Sequence, residues 1–151
     1  MAATIHFDSL DAFRAEGDQS VHLAIGMFDG AHRGHRMVVE SAIRAAAEQG
    51  GIAGVLTFWP HPSCLFHPEN RVRMILNSEM KQAELEKLRI DFVIEEPFTK
   101  AFASTESNRF VETLKRKIPG LASLHTGENW RFGKGRLGDV GFLKQLAEKE
   151  G

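Results

Sequence analysis

The sequence predicts an α/β fold with a doubly wound parallel sheet, three layers deep, and three observations carry that expectation. Apolar runs alternate along the chain with stretches of helical periodicity, the pattern of successive βα units. The apolar runs show little polar alternation, as expected of strands covered on both faces. The loops of unusual composition, GMFDGAHRGH, WPHPSCLF and GENWRFGKGRLGD, each follow such a run. Right-handed crossovers then gather them on one sheet edge, where ligands bind in folds of this class.

His6 to Glu16 carries Phe7, Leu10 and Phe13 at helical spacing, with Asp8 or Ser9 as a cap and Gly17 as a stop. It predicts a short amphipathic helix packed on the sheet. Val21 to Met27 is an apolar run entering a glycine loop, as a central parallel strand does. From Ala31 to Gln49, Val38, Val39, Ala42, Ile43 and Ala46 recur at helical spacing, and Gly50-Gly51 ends the helix. Ile52 to Phe58 predicts a second buried strand. It stops at Trp59-Pro60-His61-Pro62, where the prolines cannot donate to a ladder and hold the chain extended.

Val72 to Leu76 is apolar without a clear period. Asn77 or Ser78 caps a helix reaching Leu88, with Met80, Ala83 or Glu84, Leu85 and Leu88 on its inner face. Asp91 to Ile94 reads as a third strand, broken by Pro97. Ser104 or Thr105 precedes a helix with Phe110, Val111 and Leu114 on one face, closed by Pro119-Gly120. Leu121 to Thr126 is a fourth, less apolar strand. Asp139 caps a last helix whose Leu143 and Leu146 face inward, and the glycines at 133, 135 and 138 suggest a mobile flap just before it.

Composition narrows the function classes. The 151 residues suit one domain, and a net charge of -1 argues against coating nucleic acid or an anionic membrane. No apolar run approaches the roughly 20 residues that span a bilayer, and MAATIHFDSL lacks the pattern of a signal peptide, so a cytoplasmic location is expected. Cys64 is the sole cysteine, which excludes an internal disulfide, and beside Leu65 and Phe66 it reads as a small packed residue. His61, Cys64 and His67 are evenly spaced and admit a zinc reading, which the extended Pro60-His61-Pro62 segment disfavours. No protein-held metal is expected.

The stretch Gly26 to His35 suggests a phosphate site. Its glycines let the backbone approach a ligand closely, and the helix that follows adds unpaired N–H groups and a positive dipole end. His32 and His35, at i and i+3, can both donate to phosphate oxygens from the helix start.

At this point the residues resemble a known family. HxGH at His32 to His35, inside GxFDGxHxGH, is similar to the first signature of the HIGH-type nucleotidyltransferases. Taken with TFWPHP (Thr57 to Pro62), EEPFTKAFAS (Glu95 to Ser104) and GENWRFGKGRLGD (Gly127 to Asp139), it resembles the FMN adenylyltransferase module of prokaryotic bifunctional riboflavin kinase/FAD synthetases. The chain departs from the usual pattern at Met27, Trp59 and Trp130, without loss of the histidines.

The resemblance implies a Rossmann-like nucleotidyltransferase fold and the reaction of ATP with FMN to give FAD and pyrophosphate, by direct in-line transfer of AMP. It implies catalytic roles for His32 and His35, and for Asp29 either loop orientation in the active site or an ordinary turn. Gly26, Met27, Phe28, Gly34 and Arg131 would bind ATP, with Phe28 also readable as core-facing. Phe58, Pro60, His61 and Pro62 would wall a flat slot for the isoalloxazine ring, or else pack the strand end, and Asn129 would read the flavin's polar edge. Lys134 and Arg136 are either solvated or phosphate-binding. Mg²⁺ would arrive bound to phosphates rather than in a protein cage.

The partners implied are small molecules, with neither nucleic acid nor membrane among them. The family's module continues into a Ser-Ser-Thr-x-x-Arg type signature and usually a riboflavin kinase domain, neither of which appears in these residues. The domain 1–151 is therefore expected to be C-terminally truncated, and a catalytically incomplete ATP- or flavin-binding module is the alternative. A cytidylyltransferase is disfavoured by the TFWPHP and GENWRFG loops.

Overall fold

Val21–Ile25 (β2) is the strand around which the sheet winds: all of its residues are buried, and it pairs in parallel on both sides. The computed structural model describes residues 4–14, 19–28, 33–59, 78–127, 130, 132–133 and 138–150. In chain order β1 is Ile5–Phe7, α1 Arg33–Gln49, β3 Ile52–Trp59, α2 Ser78–Glu86 and β4 Phe92–Pro97. A short α3, Lys100–Ala103, and a 3-10 turn, Ser107–Arg109, lead into α4, Phe110–Lys117; β5 is Leu121–His125 and α5 Val140–Glu150. The five strands are parallel in the order β1-β4-β3-β2-β5. The doubly wound α/β sheet expected from the sequence is the fold observed.

Two apolar layers cover the sheet. Val21, Leu23 and Ile25 of β2 and Leu56 and Phe58 of β3 join Leu10, Phe13, Phe110, Leu114 and Leu143 on one face. Ala24, Ala53, Val55 and Val93 meet Val39 and Ala42 of α1 and Leu85 of α2 on the other. The period of two in the strands and of 3.6 in the helices assigns these residues to their faces.

The structure corrects several expectations. The segment expected to be helical from His6 opens with strand β1, which pairs with β4 in the register Ile5↔Phe92, and it turns at Leu10. Phe7 and Phe13 approach edge-on at 5.2 Å across that turn, so a spacing read as helical comes from a strand and a turn. The sheet accordingly has a fifth strand. β4 runs to Pro97, which the strand tolerates as its last residue. α3 was not expected. Met80 is 49% exposed rather than facing inward, and Lys81 takes the inner position. Gly50 and Gly51, at φ +84° and +111°, end α1 as expected.

The loop before α5 is pinned where it is described. Phe132 and Gly138 exchange backbone hydrogen bonds of 3.1 and 3.0 Å. A Cβ on Gly133, at φ +79°, would lie 2.6 Å from the Ser107 backbone, so that glycine serves a close approach.

Candidate functional site

All the strands point their C-terminal ends at one edge. There the residues after β2 (Gly26 to Phe28), the end of β3 (Phe58 and Trp59) and the residues after β5 (Thr126 and Gly127) lie side by side, as the sheet order requires. From β2 the chain winds outward through β3 and β4, then returns to place β5 on the opposite side. That reversal makes the crevice between β2 and β5 the switch point at which ligands bind in open α/β sheets. The first turn of α1 carries no acidic residue, so no carboxylate of its own offsets the positive end of the helix.

His35 stands in that first turn. Its ring meets Phe28 edge-on, centroids 5.7 Å apart and planes at 82°. Phe28 adopts φ +50°, the left-handed region, and its ring is buried over Gly26, where a Cβ would approach it to 3.2 Å. A Cβ at 26 would thus crowd the ring, and the turn holds a strained aromatic residue at 28. Gly26 N donates to the Leu56 carbonyl at 3.2 Å, and the Met27 carbonyl accepts from the Thr57 hydroxyl at 3.1 Å. Gly34 is the second residue of α1. His35, Arg36, Val39 and Phe28, with Glu84 and Lys87 across from them, line a cavity of about 180 Å³. That is below the ~300 Å³ at which ligand pockets usually begin.

Phe58 is buried, with its ring against Phe98 at 5.9 Å and Phe102 at 5.2 Å. It therefore packs the strand end, the second of the two roles open to it in the sequence. His32, Asp29, Gly30, Pro60, His61, Pro62, Asn129 and Arg131 lie outside the described residues, as do Cys64, His67, Lys134 and Arg136. Among the described residues no three metal-binding side chains cluster, and no helix is long and apolar enough to cross a membrane.

Two polar arrangements escaped the sequence reading. Lys81 of α2 is fully buried and donates to Thr57 Oγ1 at 3.0 Å and to the Phe58 carbonyl at 3.1 Å. A signal existed: residue 81 lies four before Leu85, on the face the periodicity turns inward. The second is a chain of side chains beneath α1. Ser41 Oγ lies 2.7 Å from His125 Nδ1, Ser123 Oγ lies 2.8 Å from His125 Nε2, and His22 Nδ1 lies 2.6 Å from Ser123 Oγ. Burial, and secondarily the neighbouring His22, pulls the His125 imidazole below its ordinary pKa.

The FAD synthetase family matches residues 14–151, nearly the whole chain. The chain belongs to the FAD synthetase family. Over 129 residues it is 30% identical to the bifunctional riboflavin kinase/FMN adenylyltransferase of Escherichia coli (strain K12), covering 85% of this chain and 41% of that protein. It is 30% identical over 146 residues to the Bacillus subtilis (strain 168) protein of the same description, covering 96% and 45%. A Listeria monocytogenes FAD synthetase is 31% identical over 127 residues, covering 83% and 51%. The chain thus spans about half the length, or less, of these FAD synthetase relatives. A solved structure described as a macrolide-efflux protein from Streptococcus pneumoniae superposes with a TM-score of 0.80 over 96% of this chain and 47% of that one. At 23% identity that likeness speaks for the fold alone.

Proposed function

We propose that this chain is the FMN adenylyltransferase unit of a longer protein, joining ATP and FMN to give FAD and pyrophosphate. The observation that carries the reading is His35 in the first turn of α1 at the sheet's switch point, in a chain of the FAD synthetase family. The FMN phosphate, with a second pKa of about 6, is largely a dianion at neutral pH and needs no general base. Its oxygen attacks the α-phosphorus of ATP. One P–O bond forms as the bond to the pyrophosphate breaks, and the leaving group departs with its electron pair.

The protein's share is alignment and charge stabilisation. His35, with His32 one turn before it, donates to phosphate oxygens at the helix start, and Asp29 orients the turn that carries them. Gly26, Met27, Phe28 and Gly34 shape the ATP side, and Arg131 adds a bidentate donor. Phe58, Pro60, His61 and Pro62 wall the isoalloxazine slot, and Asn129 reads its edge. Mg²⁺ bound to the nucleotide's phosphates would supply further charge neutralisation. A cytoplasmic location is part of this reading. The bifunctional description of the relatives supports a riboflavin kinase domain in the parent protein.

The test is incubation with ATP, FMN and Mg²⁺, using this chain and its full-length parent, with FAD followed by chromatography. FAD appearing with stoichiometric pyrophosphate supports the reading. Calorimetric binding of both nucleotides with no FAD from either protein would overturn it in favour of a nucleotide- or flavin-binding module.

A further inference from the structure

Lys81 has a relative exposure of 0%, and so does Thr57, which it contacts. The directions of their hydrogen bonds follow from chemistry. An ammonium only donates, so Thr57 Oγ1 accepts from Lys81 Nζ at 3.0 Å and spends its own proton on the Met27 carbonyl at 3.1 Å. The same ammonium caps the Phe58 carbonyl and lies 5.7 Å from the centre of the Trp59 ring. Strand register sets Glu95 beside Thr57, placing a carboxylate on the same sheet face. Helix α2, the end of β3 and the turn after β2 are thus joined through two buried side chains, Lys81 and Thr57.

Packing alone gives no reason for a lysine here. Burying an ammonium costs several kcal/mol before its partners repay it, and Leu85, one turn along the same face, shows that an apolar side chain fits this layer. The relay ends, however, at the most constrained point of the site. The Met27 carbonyl belongs to the peptide plane that precedes Phe28, and Phe28 holds φ +50°. A left-handed residue with a Cβ is disfavoured by roughly 1–2 kcal/mol, so it persists only where its surroundings hold it. Anchoring the Met27 oxygen holds that plane, and the Phe28 ring then sits over Gly26 and against His35.

We propose that Lys81 is a positioning residue for adenylyl transfer: through Thr57 and the Met27 carbonyl it keeps Phe28 in its left-handed turn and so aims His35. The inference rests on the FMN adenylyltransferase reading, and it makes α2, whose neighbourhood already lines a cavity with His35, part of the active-site support.

Thr57→Val removes the hydroxyl while keeping the shape, Thr57→Ser restores it, and Lys81→Met removes the donor. In the full-length parent Thr57→Val lowers kcat by about 10²-fold, the scale of a small misplacement of reacting groups. KM for ATP and FMN stays within about threefold, as for an interaction made in the transition state. Thr57→Ser recovers most of kcat, and Lys81→Met combined with Thr57→Val is no worse than the more damaging single change. Nitrogen-resolved NMR of the His35 imidazole, assigned with His35→Gln, shifts in Thr57→Val and returns in Thr57→Ser. Should Lys81→Met fail to fold, the Thr57 pair decides alone. Unchanged kcat and unchanged His35 signals in Thr57→Val overturn the proposal. The imidazole signals report on the relay even if the wild-type protein makes no FAD, so the two readings fail separately.

Discussion

The ring of Phe28 stands edge-on to the imidazole of His35, with centroids 5.7 Å apart. An aromatic edge contact contributes about 0.5–1.5 kcal/mol beyond buried area, enough to select one orientation of a surface histidine. Phe28→Leu keeps an apolar side chain and loses that contact, so kcat/KM for FAD formation falls by about tenfold, the equivalent of ~1.4 kcal/mol. His35→Ala, which removes the phosphate donor itself, costs about 10²–10³-fold. Both are read by chromatographic assay of FAD, with thermal unfolding as a control. Equal activities for His35→Ala and wild type would take His35 out of the mechanism.

Gly54 and Phe92 face each other in register across β3 and β4. The Phe92 ring folds over the glycine so closely that a Cβ there would lie 2.2 Å from its tip. The ring cannot easily retreat, because it also packs on Phe13 at 4.7 Å. Gly54→Ala is therefore expected to destabilise the fold by about 1–3 kcal/mol, the usual cost of overpacking. For a chain of this size that lowers Tm by roughly 2–4 °C per kcal/mol. A melting curve superposable on wild type would show that the ring moves freely.

The sequence disclosed its sheet and its site unequally. β2 and β3 are mostly apolar because both faces are covered, and the polar residues within them, His22 and Thr57, are buried with hydrogen-bond partners. β1 was missed for the opposite reason: it is three residues long at the sheet edge with mostly exposed side chains, so Phe7, Leu10 and Phe13 presented a helical spacing that only pairing with β4 overrides. At the candidate site, the turn after β2 and the place of His35 at the start of α1 were legible because an apolar strand, a glycine-rich stretch and a helical period follow one another there. Lys81 was not, since a charged residue in a helix reads as solvated until a strand end is known to lie beneath it. The positive φ of Phe28 has no sequence signature, and Met80 and Lys81, adjacent in sequence, exchanged the inner and outer roles that hydrophobicity alone assigns.

Asp139 caps α5 in the way its position suggested: Oδ1 accepts from the Phe142 N–H at 2.9 Å, while the Asp139 carbonyl accepts from Leu143 N. The helix buries Leu143 and Leu146, and it follows directly on the Phe132–Gly138 pairing. Asp139→Ala leaves an N–H of the first turn without its capping acceptor and costs about 1 kcal/mol, whereas Asp139→Asn, which keeps the acceptor, costs less. Urea unfolding of the three proteins checks this. Equal midpoints for the alanine and wild-type forms would mean that solvent replaces the cap.

The chain from Ser41 to Gly50 admits one arrangement of protons when both imidazoles are neutral. The Gly50 carbonyl can only accept, so His22 donates from Nε2 and its Nδ1 accepts from Ser123. Ser123 in turn accepts from His125 Nε2, whose Nδ1 accepts from Ser41. The shift in register between Val21 and His22 is what brings Ser123 opposite His22. A further proton would put charge in a half-buried network that is already satisfied, and burial pulls the His125 pKa below 6.5 in agreement. The folded protein therefore resists a proton that the unfolded chain takes up, so the unfolded state gains as pH falls below 6.5. The stability contributed by neutral His125 is fully present above that pH and is lost progressively down to the depressed pKa. Urea midpoints measured across this window fall more steeply for wild type than for His125→Asn, which cannot titrate. Parallel slopes in the two proteins would assign the pH dependence to other groups.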